Sequence, residues 1–219
     1  MRTFFTCLAL ICQVGYLSAD TVFDSFGPGN AYDTTTRYAV GMTISHTNDP
    51  FEQARSFVIP SGSDYLLDQI TVAAGFFIGD LGGPNAMTFS LMRDNSGQPG
   101  FLLESLMLTD LPSAWDVGGV ITANSSMRSL LQAGQTYWIA ATSPDTSTAW
   151  FSAPADSITG KSWRHFPDTW TASPSSISPA LIVSATPVPE PTPVALVGLG
   201  LLAFVMRPFC TRIIRGHRS

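Results

Sequence analysis

Between Asp20 and Pro189 the chain carries fifteen acidic residues, six basic ones, two histidines and no cysteine. That inventory sets which reactions are worth seeking. Without cysteine there is neither a thiol nucleophile nor a disulfide in this stretch. His46 and His165 stand alone, with no His-Glu-x-x-His spacing and no thiolate to complete a zinc site, so each reads as a solvated side chain. Gly-x-Ser-x-Gly is absent, as are a Walker loop and a dinucleotide fingerprint. Glycoside hydrolysis needs two carboxyl groups roughly 5–9 Å apart. Asp33, Asp64, Asp68, Glu104 and Asp116 are the candidates, but most acids lie beside turn residues, where Asp shapes the turn through its own backbone. Asp94-Asn95-Ser96-Gly97 clusters oxygen ligands as a calcium loop would. An EF-hand, however, needs a Glu six residues beyond the glycine, where this chain has Leu103, and a hairpin turn is the expectation. No catalytic residue, metal ligand or cofactor is expected.

Aromatic residues offer the other kind of chemistry. Trp150, Trp163 and Trp170, with Phe151 and Phe166 close by, form a candidate platform for stacking sugar rings, and Arg164 and Asp168 are polar neighbours in sequence. The same residues would serve equally as core, because large aromatics in short strands usually fill it. Exposure of the three indoles separates the two readings.

The elements that must position these residues read as strands. Met87, Phe89 and Leu91 alternate with Thr88, Ser90 and Met92, and Ile70, Val72 and Ala74 alternate with Gln69, Thr71 and Ala73. Residues 135–142 are apolar on both faces, which predicts a central strand covered on both sides. Further strands are expected over 54–59, 101–108, 120–123, 127–130, 149–153, 161–166 and 180–185, punctuated by Pro60-Ser61-Gly62-Ser63, Asn95–Gly100 and Ala133-Gly134. No convincing helical stripe appears between the termini. The fold class expected is therefore all-β, a β-sandwich of jelly-roll type, and a chain of this length buries one core without disulfides. A charged fraction of only 12% argues against a coiled coil, while 14 Phe and 5 Trp argue against disorder. A net charge of −5 gives no basic footprint for nucleic acid.

The two ends stand apart from this domain. Met1-Arg2-Thr3, an apolar run to Val14 and the small residues up to Ala19 read as a signal peptide over 1–19. The exported domain then covers 20–186, and 187–193 is a proline-rich linker holding Pro189-Glu190-Pro191. An apolar run over 194–206 follows, about 20 Å long as a helix and short of the roughly 30 Å hydrocarbon core unless flanking residues help. Arg207, Arg212, Arg215 and Arg218 place the tail, 207–219, in the cytoplasm and the domain outside. The short span predicts a transient stop; a plain single-pass anchor is the alternative.

Pro-Glu-Pro, a short apolar helix and a basic end, in that order over 188–219, resemble the PEP-CTERM sorting signal of exopolysaccharide-producing Gram-negative bacteria. The resemblance implies recognition of Pro189-Glu190-Pro191 by an exosortase, a membrane processing enzyme, and release of the domain to the cell surface or extracellular matrix. Within the domain, Asn30–Asp33, Ser61–Asp68, Arg93–Gly100 and Leu131–Trp138 resemble the choice-of-anchor R domain. That resemblance implies a β-rich exported module and no assigned activity. The leading expectation is a non-enzymatic structural or adhesive surface protein. The runner-up is a carbohydrate-binding module for exopolysaccharide, and the third is a glycoside or ester hydrolase.

Overall fold

The computed structural model describes residues 18–41, 51–77, 83–143, 147–154, 162–165, 169–172 and 178–189. Among them lie thirteen strands and no helix. In chain order they are β1 (Asp20–Asp24), β2 (Asp33–Gly41), β3 (Glu52–Val58), β4 (Tyr65–Phe76), β5 (Ala86–Asp94), β6 (Pro99–Thr109) and β7 (Gly119–Asn124). Then come β8 (Leu130–Leu131), β9 (Thr136–Thr142), β10 (Ser147–Ser152), β11 (Ser162–His165), β12 (Trp170–Ala172) and β13 (Leu181–Pro187). They form two antiparallel sheets. One is seven-stranded, ordered β1-β13-β4-β10-β2 with β7 and β8 also on β4; the other is six-stranded, ordered β12-β11-β3-β9-β5-β6.

Two-residue periodicity explains which faces pack. In β5 Met87, Phe89 and Leu91 are buried while their neighbours are half-exposed, and β13 buries Leu181, Val183 and Ala185 in the same rhythm. One core cluster takes residues from both sheets: Ile70, Val72, Val183 and Trp150 from the first, Phe57, Phe89 and Ile139 from the second. Phe89 meets Trp150 edge to face, with ring centres 5.2 Å apart. The expected central strand is β9, buried along most of its length between β3 and β5. Its continuous apolar run has a reason: Trp138 and Ala140 join Ala54 in a second cluster on the face opposite the shared core. A third cluster, with Phe151, Ala149 and Ala73, lies on the far face of the seven-stranded sheet and is capped by Phe26 and Ala114.

Three strands were not legible as strands. β2 opens with Thr34, Thr35, Thr36 and Arg37, an edge sequence whose apolar part starts only at Tyr38; β1 and β12 are short edge strands. The strand expected over 127–130 is a turn instead, with only Leu130 and Leu131 pairing to β4. Its backbone amides point to a side chain from β6, and Arg128 takes φ 50°. Contacts divide the chain after Pro187, so the two-sheet unit ends with β13 and residues from Val188 onward form a separate unit.

Candidate functional site

Of the three tryptophans expected to stack on sugars, Trp150 is wholly buried. β10 turns it into the shared core, where its indole N–H donates to the Ala180 carbonyl at 2.8 Å. A ring enclosed on both faces cannot stack on a ligand, so Trp150 belongs to the core alternative. Trp170 is half-buried on β12 and packs against the Ala54–Trp138 cluster. The register sets Trp163 of β11 opposite Ala54 and Ala172. Phe166 and Asp168 lie outside the described residues. The structure therefore does not assemble a platform from these three positions.

Among the indoles whose burial is described, the exposed one is Trp115, at 59%. Sequence reasoning passed over it because it belongs to no strand. Its setting holds the missed signal: between Leu111-Pro112 and Gly118-Gly119, a tryptophan bounded by turn residues has no strand face to be buried on.

Four of the five candidate carboxylates are engaged with other groups of the fold. Asp33 accepts from Thr35 N (2.8 Å), Thr35 Oγ1 (2.6 Å) and Thr36 N (3.2 Å), and the Thr35 hydroxyl foremost holds its pKa down at about 2. Asp64 accepts from Ala133 N at 2.8 Å and so fixes the turn before β9. Asp68 pairs with Arg128 at 2.8 Å and accepts from Thr186 Oγ1 at 2.6 Å. Glu104, on β6, is 3% exposed, and its two oxygens accept from the Ser125 and Ser129 hydroxyls and from the Ser126 and Met127 amides, all within 3.0 Å. Burial alone would raise its pKa, but these donors together hold it below the ordinary value. A general acid for glycoside cleavage needs the opposite shift. Asp116 is exposed beside Trp115.

The Asp94–Gly97 segment forms the expected hairpin turn. Asp94 Oδ1 accepts from the Trp138 indole at 2.7 Å and its Oδ2 from Gly97 N at 2.9 Å. Ser96 and Gly97 both take positive φ, 57° and 86°, between Asn95 and Gln98, which exchange backbone hydrogen bonds; this is a two-residue type I′ hairpin. No group of three His, Cys, Asp or Glu able to hold a metal occurs among the described residues. Beside the hairpin, Arg93, Asp94, Gln132, Gln135, Thr136 and Tyr137 line a half-open pocket of about 240 Å³. Ligand pockets usually measure roughly 300–1,000 Å³. The Tyr137 hydroxyl already accepts from Gln132 N at 2.8 Å, so this hollow reads as the junction of two turns.

Of the sorting residues, Pro189 is the last one described; Glu190, Pro191, the run over 194–206 and Arg207, Arg212, Arg215 and Arg218 lie outside the described residues, as does His46. No helix among the described residues is long and apolar enough to cross a membrane. No protein-family model matches the chain, and no curated protein matches it.

Proposed function

We propose that this is a non-enzymatic exported protein of the cell surface or extracellular matrix, a jelly-roll β-sandwich delivered by a PEP-CTERM-like sorting signal. The observation that carries the reading is where the fold starts and stops. Among the described residues the first strand, β1, begins at Asp20, the residue after the expected signal-peptide cut, and the last, β13, ends at Pro187, two residues before Pro189-Glu190-Pro191. A domain whose edges fall on both processing sites survives both cuts intact. The jelly-roll assignment is supported by the strand neighbours: β1-β13-β4-β7 in one sheet and β3-β9-β5-β6 in the other, with the chain passing repeatedly between them. The engaged carboxylates support a scaffold over a hydrolase.

Glu190 sits between prolines that keep the segment extended for a membrane enzyme, and the tail arginines hold the other end inside. In a host with a matching exosortase, the surface fraction should contain the domain without peptides from 194–219. Glu190→Ala, or deletion of 207–219, should leave uncut precursor in the inner membrane. Mass spectrometry of the fractions checks this; intact C-terminal peptides on the mature surface protein would mean an ordinary anchor.

A further inference from the structure

We infer that Trp115, with Asp116, is a binding site for neutral hexopyranose chains. The loop Leu111–Gly118 is fastened on both sides of Trp115-Asp116. Asn85 brackets Leu111 with two bonds of 2.9 Å, one through each atom of its amide. Phe76 N donates to Pro112 O (2.8 Å), and Ala114 N to Phe76 O (2.9 Å). Arg37 Nη1 donates to Ala114 O at 2.6 Å, the Tyr32 hydroxyl to Val117 O at 2.8 Å, and Gly118 N to Ser113 O at 3.1 Å. Ala114 is fully buried, and Gly75 lies so close beneath it that a Cβ there would come within 2.9 Å. A loop held this way has little entropy left to lose on binding.

What the loop presents is the indole. Its ring meets Phe77 edge to face, with centres 5.0 Å apart at 70°, and the Arg37 guanidinium lies 5.3 Å from the centre of the same Phe77 ring. At 59% exposure the indole keeps ring surface for a ligand. Asp116 is exposed next to it and makes no hydrogen bond or ion pair among the described residues. A flat apolar face beside a free acceptor matches a pyranose, which has an apolar C–H face and rim hydroxyls that donate. Charge selects among sugars: fifteen acids against six bases over 20–189 disfavour uronate chains.

Position supports the same conclusion. β4 starts at Tyr65, paired with Pro187 where the chain leaves the sheets, and ends at Phe76, which bridges Ser113. Eleven strand steps put roughly 35 Å between those points. Ser113, two residues before the indole, thus pairs at the end of β4 opposite Pro187.

The test uses full-length protein in detergent, titrated with hexamers of β-1,4-glucose, β-1,4-mannose, α-1,4-glucose and β-1,4-mannuronate. At least one neutral hexamer should bind with a blue shift of tryptophan fluorescence, and the mannuronate should not. Trp115→Ala should weaken binding about tenfold or more, Trp115→Phe less, and Asp116→Asn by a smaller factor. Near-ultraviolet circular dichroism reports the fold of each variant; should Trp115→Ala misfold, Trp115→Phe and Asp116→Asn still decide. Failure of all three neutral hexamers to bind, or wild-type affinity in the variants, overturns the site. Because fractionation reads export separately, the sugar site can fail while the sorting reading stands.

Discussion

Glu104 shows how much of this molecule rests on single polar groups. It is a carboxylate on β6 whose donors all come from the 125–129 turn, which leads from β7 to β8 on the other sheet. Glu104→Ala would leave two backbone amides and two hydroxyls without their acceptor and should cost about 3–5 kcal/mol; Glu104→Gln, which turns an amide N–H toward donors, about 2–4. The pH dependence has a definite sign. The folded pKa lies below the ordinary 4.5, so the native state favours the ionised form. Its stabilisation is complete above pH 4.5 and is lost as pH falls through the lower folded value. Urea melts across that range should show less acid sensitivity in Glu104→Gln than in wild type. None of this was legible beforehand. Sequence placed Glu104 among five candidate acids, because its partners lie more than twenty positions along the chain and only the fold brings them together.

At the scale of elements, legibility followed periodicity. β4, β5, β9 and β13 alternate or run continuously apolar, and those patterns are enforced by burial against the shared core. β2 escaped because an edge strand pairs on one side only and tolerates its Thr-Thr-Thr-Arg opening. The turn at 125–129 escaped because Met127 and Leu130 look apolar, yet both are exposed and the amides of Ser126 and Met127 are claimed by Glu104. The burial of Trp150 and the exposure of Trp115 have a related reason. A strand tryptophan has a buried face available to it, whereas one in the Leu111–Gly118 loop does not. That loop depends on Gly118, whose φ of 66° disfavours other residues and whose position leaves 2.3 Å between a would-be Cβ and the Phe151 ring. Gly118→Ala should therefore cost about 2–4 kcal/mol, combining left-handed strain with overpacking. It should also shift Trp115 emission as the loop lifts. A thermal melt and a fluorescence spectrum of the variant check both.

For the whole molecule, the first five residues after the expected cut matter out of proportion to their number. β1 covers the edge of β13, and just beyond it Ser25 both donates to Leu181 O (3.0 Å) and accepts from Leu181 N (2.9 Å). Phe23 reaches inward, 5.9 Å from the Phe57 ring, and lies 5.2 Å beneath the guanidinium of Arg55. Arg55 is fully buried; that burial lowers its pKa to about 10, which still leaves it protonated at neutral pH, and it donates to the Pro179 carbonyl. A buried cation needs such company, and β1 supplies the aromatic part of it. Deleting Asp20–Asp24 while keeping residues 1–19 should therefore do more than trim an end. It uncovers the β13 edge, invites pairing with other chains and strips one face from Arg55. The expected result is a protein that aggregates or is degraded. Phe23→Ala, which keeps the strand and its ladder, should fold with a lower denaturant midpoint. Pulse proteolysis of the purified protein distinguishes the variants, and a deletion variant with the wild-type midpoint would show that β1 is dispensable to the closed domain.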